Sequence, residues 1–369
     1  MREESAFASK STDEGLTGPT VLHTSHSRRA TRIPVLDGWR AISILLVLGC
    51  HLLPLGPQKL QLNDVAGTAG MALFFTLSGF LITSFLAAGM PVQEFLARRF
   101  ARIIPLGWTA VTALILWQQP ALAIAARNLL FIANLPPAAL MHGGEHLWSL
   151  GVEMQFYVSI ALICLLLGRR GLYLIPFSAI AVTSARIIAA EPVSIVTWHR
   201  IDEILAGGLV ALIYAGWFGE RADGILKRLP VWPFGLALLV CSHPQSGPLQ
   251  YLRPYAASFM VGASLIDCPI GLRKMLASKP MAYIAEISYA LYVIHGLLSA
   301  TWFGTGDKVV RYLKRPLLFG ATFLLAHLST RFMEQPITRA VREMVRSKKR
   351  ESPANDHGSS AASRPAGLR

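Results

Sequence analysis

Arg40 and His51 stand eleven residues apart in an apolar stretch of the 369-residue sequence. At ~100° and ~1.5 Å per residue, that spacing leaves them ~20° apart around a helix and ~16 Å apart along it, on one face. A neutral imidazole in a dry site can act as a general base near neutral pH; the same ring can instead cap a carbonyl at the end of its helix. Arg98, Arg99 and Arg102 follow in QEFLARRFARIIP, about one helical turn in all, beside Phe95 and Phe100. Guanidiniums so grouped suit phosphate, to which each offers paired donors in a plane; they equally suit a basic anchor at a membrane boundary. Glu153 lies in HLWSLGVEMQFY with Gln155, between Trp148 and Tyr157. About two turns inside an apolar run, beyond snorkelling depth, it requires a cation from another helix, either in a working site or in a structural ion pair.

Other groupings carry less. His142-Gly143-Gly144-Glu145-His146 has the H-x-x-E-H metal spacing, but that pattern needs a helix to bring both histidines to one ion, and adjacent glycines favour a loop. No metal site is expected. Ser78 in FFTLSGF lacks the G-x-S-x-G elbow and reads as a small packing residue at a helix contact. Asp202 and Glu203 open an apolar run, where the helix dipole favours acids. Glu286 and His295 are nine residues apart and oppose each other across one helix, which leaves His295 as a helix–helix contact or a support for a functional group. Cys50, Cys164, Cys241 and Cys268 have no C-x-x-C spacing and read as packing residues.

These residues need elements that hold them in an apolar setting, and the composition provides for that. Hydrophobic residues make up 53% of the chain and charged ones 15%, against about 25% charged in ordinary soluble domains. Apolar runs recur from Ala41 to Met333, several reaching the ~20 residues that cross a bilayer as a helix. Soluble globules, disordered chains, collagen and disulfide scaffolds are excluded. The expectation is an all-α polytopic membrane protein with about ten transmembrane helices, near 36–56, 66–88, 105–126, 146–168, 172–190, 201–218, 230–242, 251–270, 282–303 and 316–334. Counting Lys and Arg in alternate connections gives 24 on the side of the N-terminus and 7 on the other, so both termini are expected in the cytoplasm. Lys308, Arg311, Lys314 and Arg315 run against that trend. The net charge of +14 sits in tails and loops, and no nucleic-acid partner is expected. Residues 1–34 are expected to form a polar cytoplasmic tail without a cleaved signal peptide. Residues 35–340 form one membrane domain without an internal repeat. Residues 341–369 are a basic, then disordered, cytoplasmic tail, whose basic stretch from Thr338 to Arg350 suits a helix on an anionic lipid surface.

The order of motifs resembles the membrane-bound acyltransferase-3 family over about residues 35–340. LDGWRAISILLVLGCH (36–51) is similar to the family's opening segment with Arg40 and His51, and FFTLSGFLIT (74–83) to its second span. RRFARIIP carries R-x-x-R as Arg99 and Arg102. HLWSLGVEMQFY resembles WSLSVEEQFY, RIDEILAGGLVA the following acidic-glycine span, and ISYALYVIH with RFMEQP the close. Met154 replaces a common second Glu and Gly151 a common Ser, so Glu153 alone can supply the carboxylate. The resemblance implies acyl transfer, acetyl being the simplest group, from cytoplasmic acyl-CoA to a hydroxyl of an envelope polysaccharide, lipid-linked glycan or similar acceptor in a bacterial inner membrane. It implies no permanently bound cofactor, with membrane lipids as surroundings. Arg99 and Arg102 would hold coenzyme A phosphates, and His51 would take the hydroxyl proton or relay the acyl group. Arg40 would stabilise charge or hold the pantetheine end, and Glu153 would orient His51. A proton-coupled transporter or lipid flippase using His51 and Glu153 is the rival class, and a non-catalytic scaffold a third. Fusing a fluorescent protein to the C-terminus tests the topology: bright fluorescence in cells is expected, and a dark fusion to an exported reading frame would reverse the orientation.

Overall fold

The computed structural model describes residues 33–351; most of the expected N-terminal tail and the disordered end of the C-terminal tail lie outside the described residues. Within them the chain is helical throughout, without strands. Helix α1 (Pro34–Leu52) starts on a proline whose missing N–H costs nothing there, with Asp37 in its first turn. After a short turn come α2 (Leu62–Ala87), α3 (Val92–Gln118) and α4 (Leu122–Leu129). Helix α5 (Trp148–Leu167) ends at Gly168, whose φ of 61° only glycine adopts freely, and a 3-10 segment leads into α6 (Leu174–Ile188). Then follow α7 (Asp202–Tyr214), α8 (Gly219–Arg228), α9 (Val231–Ser242), α10 (Arg253–Ile266), α11 (Ile270–Leu276) and α12 (Lys279–Ser299). Helix α13 (Lys308–Ser329) is capped by Asp307, which accepts from the Val310 N–H at 2.8 Å. It passes through a π-helical turn (Thr330–Glu334) into α14 (Gln335–Glu351), the basic C-terminal helix.

Ten spans is more than the described helices bear out. Five are long and apolar enough to cross a membrane, or seven if two bent pairs, α7 with α8 and α10 with α11, each count as one. The difference has local causes. The expected fourth and fifth spans run together as one helical stretch, 145–188. The seventh is α9, with 12 residues, about 18 Å. The tenth is α13, whose first two turns hold Lys308, Arg311, Lys314 and Arg315 and lower its hydropathy. Hydropathy along a sequence registers apolar residues but not where helices stop.

Helix α2 is the axis of the bundle, packed between α1 and α7, while α1 also packs on α12. Small residues permit the closest approach. A Cβ on Gly79 would stand 1.8 Å from the Ile204 carbonyl oxygen, and one on Gly207 2.1 Å from that of Thr76. Between apolar helices in lipid, such backbone contact supplies packing energy that water exclusion does not. On the other side Ser43 donates to the Gly70 carbonyl at 2.8 Å.

One polar knot interrupts the apolar interior, where α6, α7 and α10 meet. Arg186 pairs with Asp202, Arg253 Nε donates to Glu203 at 3.0 Å, and Arg200 lies 3.4 Å from Glu203. Asp202 and Glu203 therefore serve as interhelical anchors as well as favourable first-turn acids. Replacing Gly207 with Val is expected to cost ~1–3 kcal/mol or more by overpacking. Thermal unfolding of the purified protein in detergent would show a lowered midpoint, and an unchanged midpoint would mean α2 and α7 are not in this contact.

Candidate active site

Two cavities lie in tandem along the same four helices. The larger, about 760 Å³, takes His51 from α1, Met71 from α2, Trp148 from α5 and Tyr292 and His295 from α12. The smaller, about 40 Å³, takes Arg40 from α1, Phe74 and Ser78 from α2, Glu153 from α5 and Tyr289 from α12, and adds Arg99 and Arg102 from α3. Met71 and Phe74 are three residues apart, ~4.5 Å along a helix, so the dividing wall is one turn thick. Phe74 and Tyr292 form it, stacked with ring centres 5.7 Å apart and planes 11° from parallel.

Arg40 and His51 share a face of α1 but serve different cavities. Arg40 lies 3.6 Å from Asp37 one turn below it. Arg99 is buried, its guanidinium over the rings of Phe85 and Tyr157 at 5.4 and 5.8 Å. Arg98 is drawn off by Glu94 and lines neither cavity, so the basic group is Arg40, Arg99 and Arg102 rather than the arginine run alone.

Glu153 is 3% exposed and accepts a hydrogen bond from Ser78. Ser78 is thus more than a packing residue: it holds the one carboxylate of the basic cavity. The expectation that Glu153 orients His51 does not survive, because His51 faces the other cavity and has a different partner. Gln155, two residues on, points elsewhere and ties α5 to the Phe131 carbonyl and Asn134, each at 2.9 Å.

The partner of His51 is His295, with Nδ1 of the first 2.8 Å from Nε2 of the second and the rings nearly parallel. His295 is fully buried, and its Nδ1 lies 2.6 Å from the Tyr292 carbonyl oxygen. A carbonyl only accepts, so Nδ1 of His295 carries the proton, and in the neutral ring Nε2 is the acceptor. His51 must then donate through Nδ1, which leaves the lone pair on its Nε2. Fixing a histidine tautomer through its second nitrogen is the task a carboxylate or carbonyl performs in familiar acid–base sites; here an imidazole does it. His146 braces the arrangement, its ring 4.7 Å from that of His295 and its Nε2 donating to the Val293 carbonyl at 3.1 Å. Gly296 leaves the room: a Cβ there would meet the His146 ring at 2.1 Å. The Tyr292 hydroxyl accepts from Ser149 at 2.7 Å and donates to the His146 carbonyl. His142 turns the other way, to exposed Glu145 at 3.1 Å, so the two histidines of H-x-x-E-H do not converge.

Residues 33–330 match the family model of the acyltransferase domain, type 3. The chain belongs to the acyltransferase-3 family. It is 24% identical over 364 residues to the peptidoglycan O-acetyltransferase OatA of Listeria monocytogenes, covering 85% of this chain and 57% of that protein. It is 25% identical over 356 residues to the O-acetyltransferase OatA of Staphylococcus aureus, covering 83% and 57%. The chain therefore spans little more than half the length of these relatives. No solved structure matches it. Seen as an acyltransferase-3 chain, most of the segments that carried the resemblance line the two cavities. LDGWRAISILLVLGCH supplies Arg40 and His51, FFTLSGFLIT the dividing ring and Ser78, RRFARIIP the arginines, and ISYALYVIH the histidine that fixes His51.

If His295 fixes the tautomer, nitrogen-15 NMR of histidine-labelled protein in lipid at pH 8 shows His51 as Nδ1–H. His295→Ala is expected to shift His51 toward Nε2–H; an unchanged His51 signal would separate the two rings.

Proposed function

We propose that the chain is a membrane O-acyltransferase that moves an acyl group, acetyl being the simplest, from cytoplasmic acyl-CoA to a hydroxyl of a cell-envelope glycan, in a bacterial inner membrane with both termini inside. The observation that carries this reading is the tandem pair of cavities: a narrow basic one with three arginines and a roomy one with an oriented imidazole, one helical turn apart. The names of the relatives, O-acetyltransferases of peptidoglycan, support the acceptor class.

The cavity sizes support a division of the parts. About 40 Å³ holds little more than one water molecule, so the nucleotide end of acyl-CoA stays outside it, its phosphates drawn to Arg102 and to the buried Arg99 behind it. The side chains lining it must part for the slender pantetheine arm to enter, past Arg40. The larger cavity has room for a sugar ring. His51 Nε2 takes the proton of the acceptor hydroxyl as its oxygen bonds to the thioester carbonyl carbon. The tetrahedral intermediate collapses, the carbon–sulfur bond breaks, and the leaving thiolate recovers the proton, giving an ester and free coenzyme A. Arg40, in the donor-side cavity, receives the pantetheine end on its way toward His51. Glu153, held by Ser78, limits repulsion among the three guanidiniums.

Membranes containing the protein, incubated with acetyl-labelled acyl-CoA, test the reading by the label that reaches envelope glycan. Transfer by the wild type and a loss of ~10²–10⁴-fold in His51→Ala at equal protein is expected, the usual effect of removing a general base. Equal transfer by both would remove His51 from the chemistry. Arg99→Ala with Arg102→Ala should raise KM for acyl-CoA at least about tenfold, since each charge-assisted phosphate contact contributes ~1.5–3 kcal/mol. A transporter or lipid flippase relaying protons through His51 and Glu153 would keep its function in that double variant.

A further inference from the structure

The polar knot of α6, α7 and α10 is not neutral. Among the described residues Arg186, Arg200 and Arg253 face only two carboxylates, Asp202 and Glu203, and all five are at most 2% exposed. Arg186 is well held, by Asp202 and by the carbonyls of Glu191 and Pro192. Arg253 is held by Glu203 and by the Pro192 carbonyl at 3.2 Å. Arg200 is the loosely held member. Its Nη2 lies 3.4 Å from Glu203, while Nε and Nη1 have no hydrogen-bond partner among the described residues, against one such donor, Nη1, on Arg253 and one such acceptor on each of Asp202 and Glu203. A guanidinium shut away from water with unmatched donors is costly unless something negative approaches it.

Arg200 is also the one member of the knot in the wall of the larger cavity. Its guanidinium lies over the rings of Phe75 and Trp148, at 5.8 and 5.5 Å, which keeps its charge beside the cavity. The acids of that cavity, Asp64 and Glu145, are exposed and belong to its rim. Its buried wall carries Arg200 and the imidazoles of His146 and His295, with no carboxylate.

We propose that Arg200 is a binding residue for an anionic oxygen group, carboxylate or phosphate, on the glycan that enters the His51 cavity, a reading that rests on the acceptor role given to that cavity. The anion balances the excess charge of the knot. With its acid group anchored at Arg200, the sugar turns a hydroxyl toward His51. The site thus selects acidic over neutral acceptors, since a neutral sugar leaves the buried guanidinium unmatched.

Calorimetric titration of the full-length chain in detergent tests this without an acyl donor, using glucuronate, glucose 1-phosphate and glucose as probes. At least one acidic sugar is expected to bind ten or more times more tightly than glucose, and whichever it is distinguishes carboxylate from phosphate. Arg200→Gln should abolish that preference while leaving the affinity for glucose unchanged. Equal affinity for all three sugars, no binding by any, or a preference that persists in Arg200→Gln would overturn the assignment. Glu203 keeps Arg253 as partner in the variant. Should Arg200→Gln nonetheless not purify as a single species, Arg200→Lys decides: it retains charge but not the planar donors, so a weakened preference supports the site and unaltered affinities refute it. A chain that binds acidic sugars through Arg200 yet transfers no label would refute the acyltransferase reading and leave this site standing.

Discussion

Charge inside an apolar bundle must be matched where it stands, because no water is there to do so, and the consequences reach through the whole chain. Glu153 sits in the same small cavity as three guanidiniums, and Asp202 and Glu203 tie α7 to α6 and α10. Each match fixes one helix against another with a directionality that apolar packing lacks. The histidines obey the same rule without formal charge, both ring nitrogens of His295 meeting a carbonyl or another ring. Backbone contact at Gly79 and Gly207 then sets how closely α2 approaches α7, and so where Ser78, next to Gly79, meets Glu153.

Much of the site was legible in the sequence because it is local. Arg40 and His51 are related by helical geometry alone, and both fall on the inner face of α1. Arg99 and Arg102 recur at i and i+3, which brings both to one cavity while Arg98 turns to Glu94. What the sequence could not tell was pairing across the bundle. His295 is 244 residues from His51, and nothing in its local pattern names the ring it meets. Glu153 needed a partner, and a cation was the natural guess; a serine donor from α2 joined the arginines. One available signal went unused. Arg186 and Arg253 are charges within apolar runs, just as Glu153 is, and the same reasoning would have linked them with Asp202 and Glu203.

The fold class followed from composition, but the number of spans did not. Apolar residues covering protein and apolar residues covering lipid look alike along a chain. Short helices such as α9, and bends such as the one between α10 and α11 (101°), belong to a bundle whose helices cover one another as well as the bilayer. Four cations at the start of α13 show the converse, a helix whose apolar part begins only after its second turn.

The ring pair of Phe74 and Tyr292 has a consequence for the cell rather than for the reaction. An aqueous pore joining the two cavities would short-circuit the membrane, letting protons and ions run down their gradients at every turnover. Two stacked rings reject hydrated ions by the cost of stripping their water, yet the thin uncharged thioester arm of the proposed donor would carry no such cost. On the proposed reaction, a wall of this kind would let chemistry cross while the barrier stays electrically sealed.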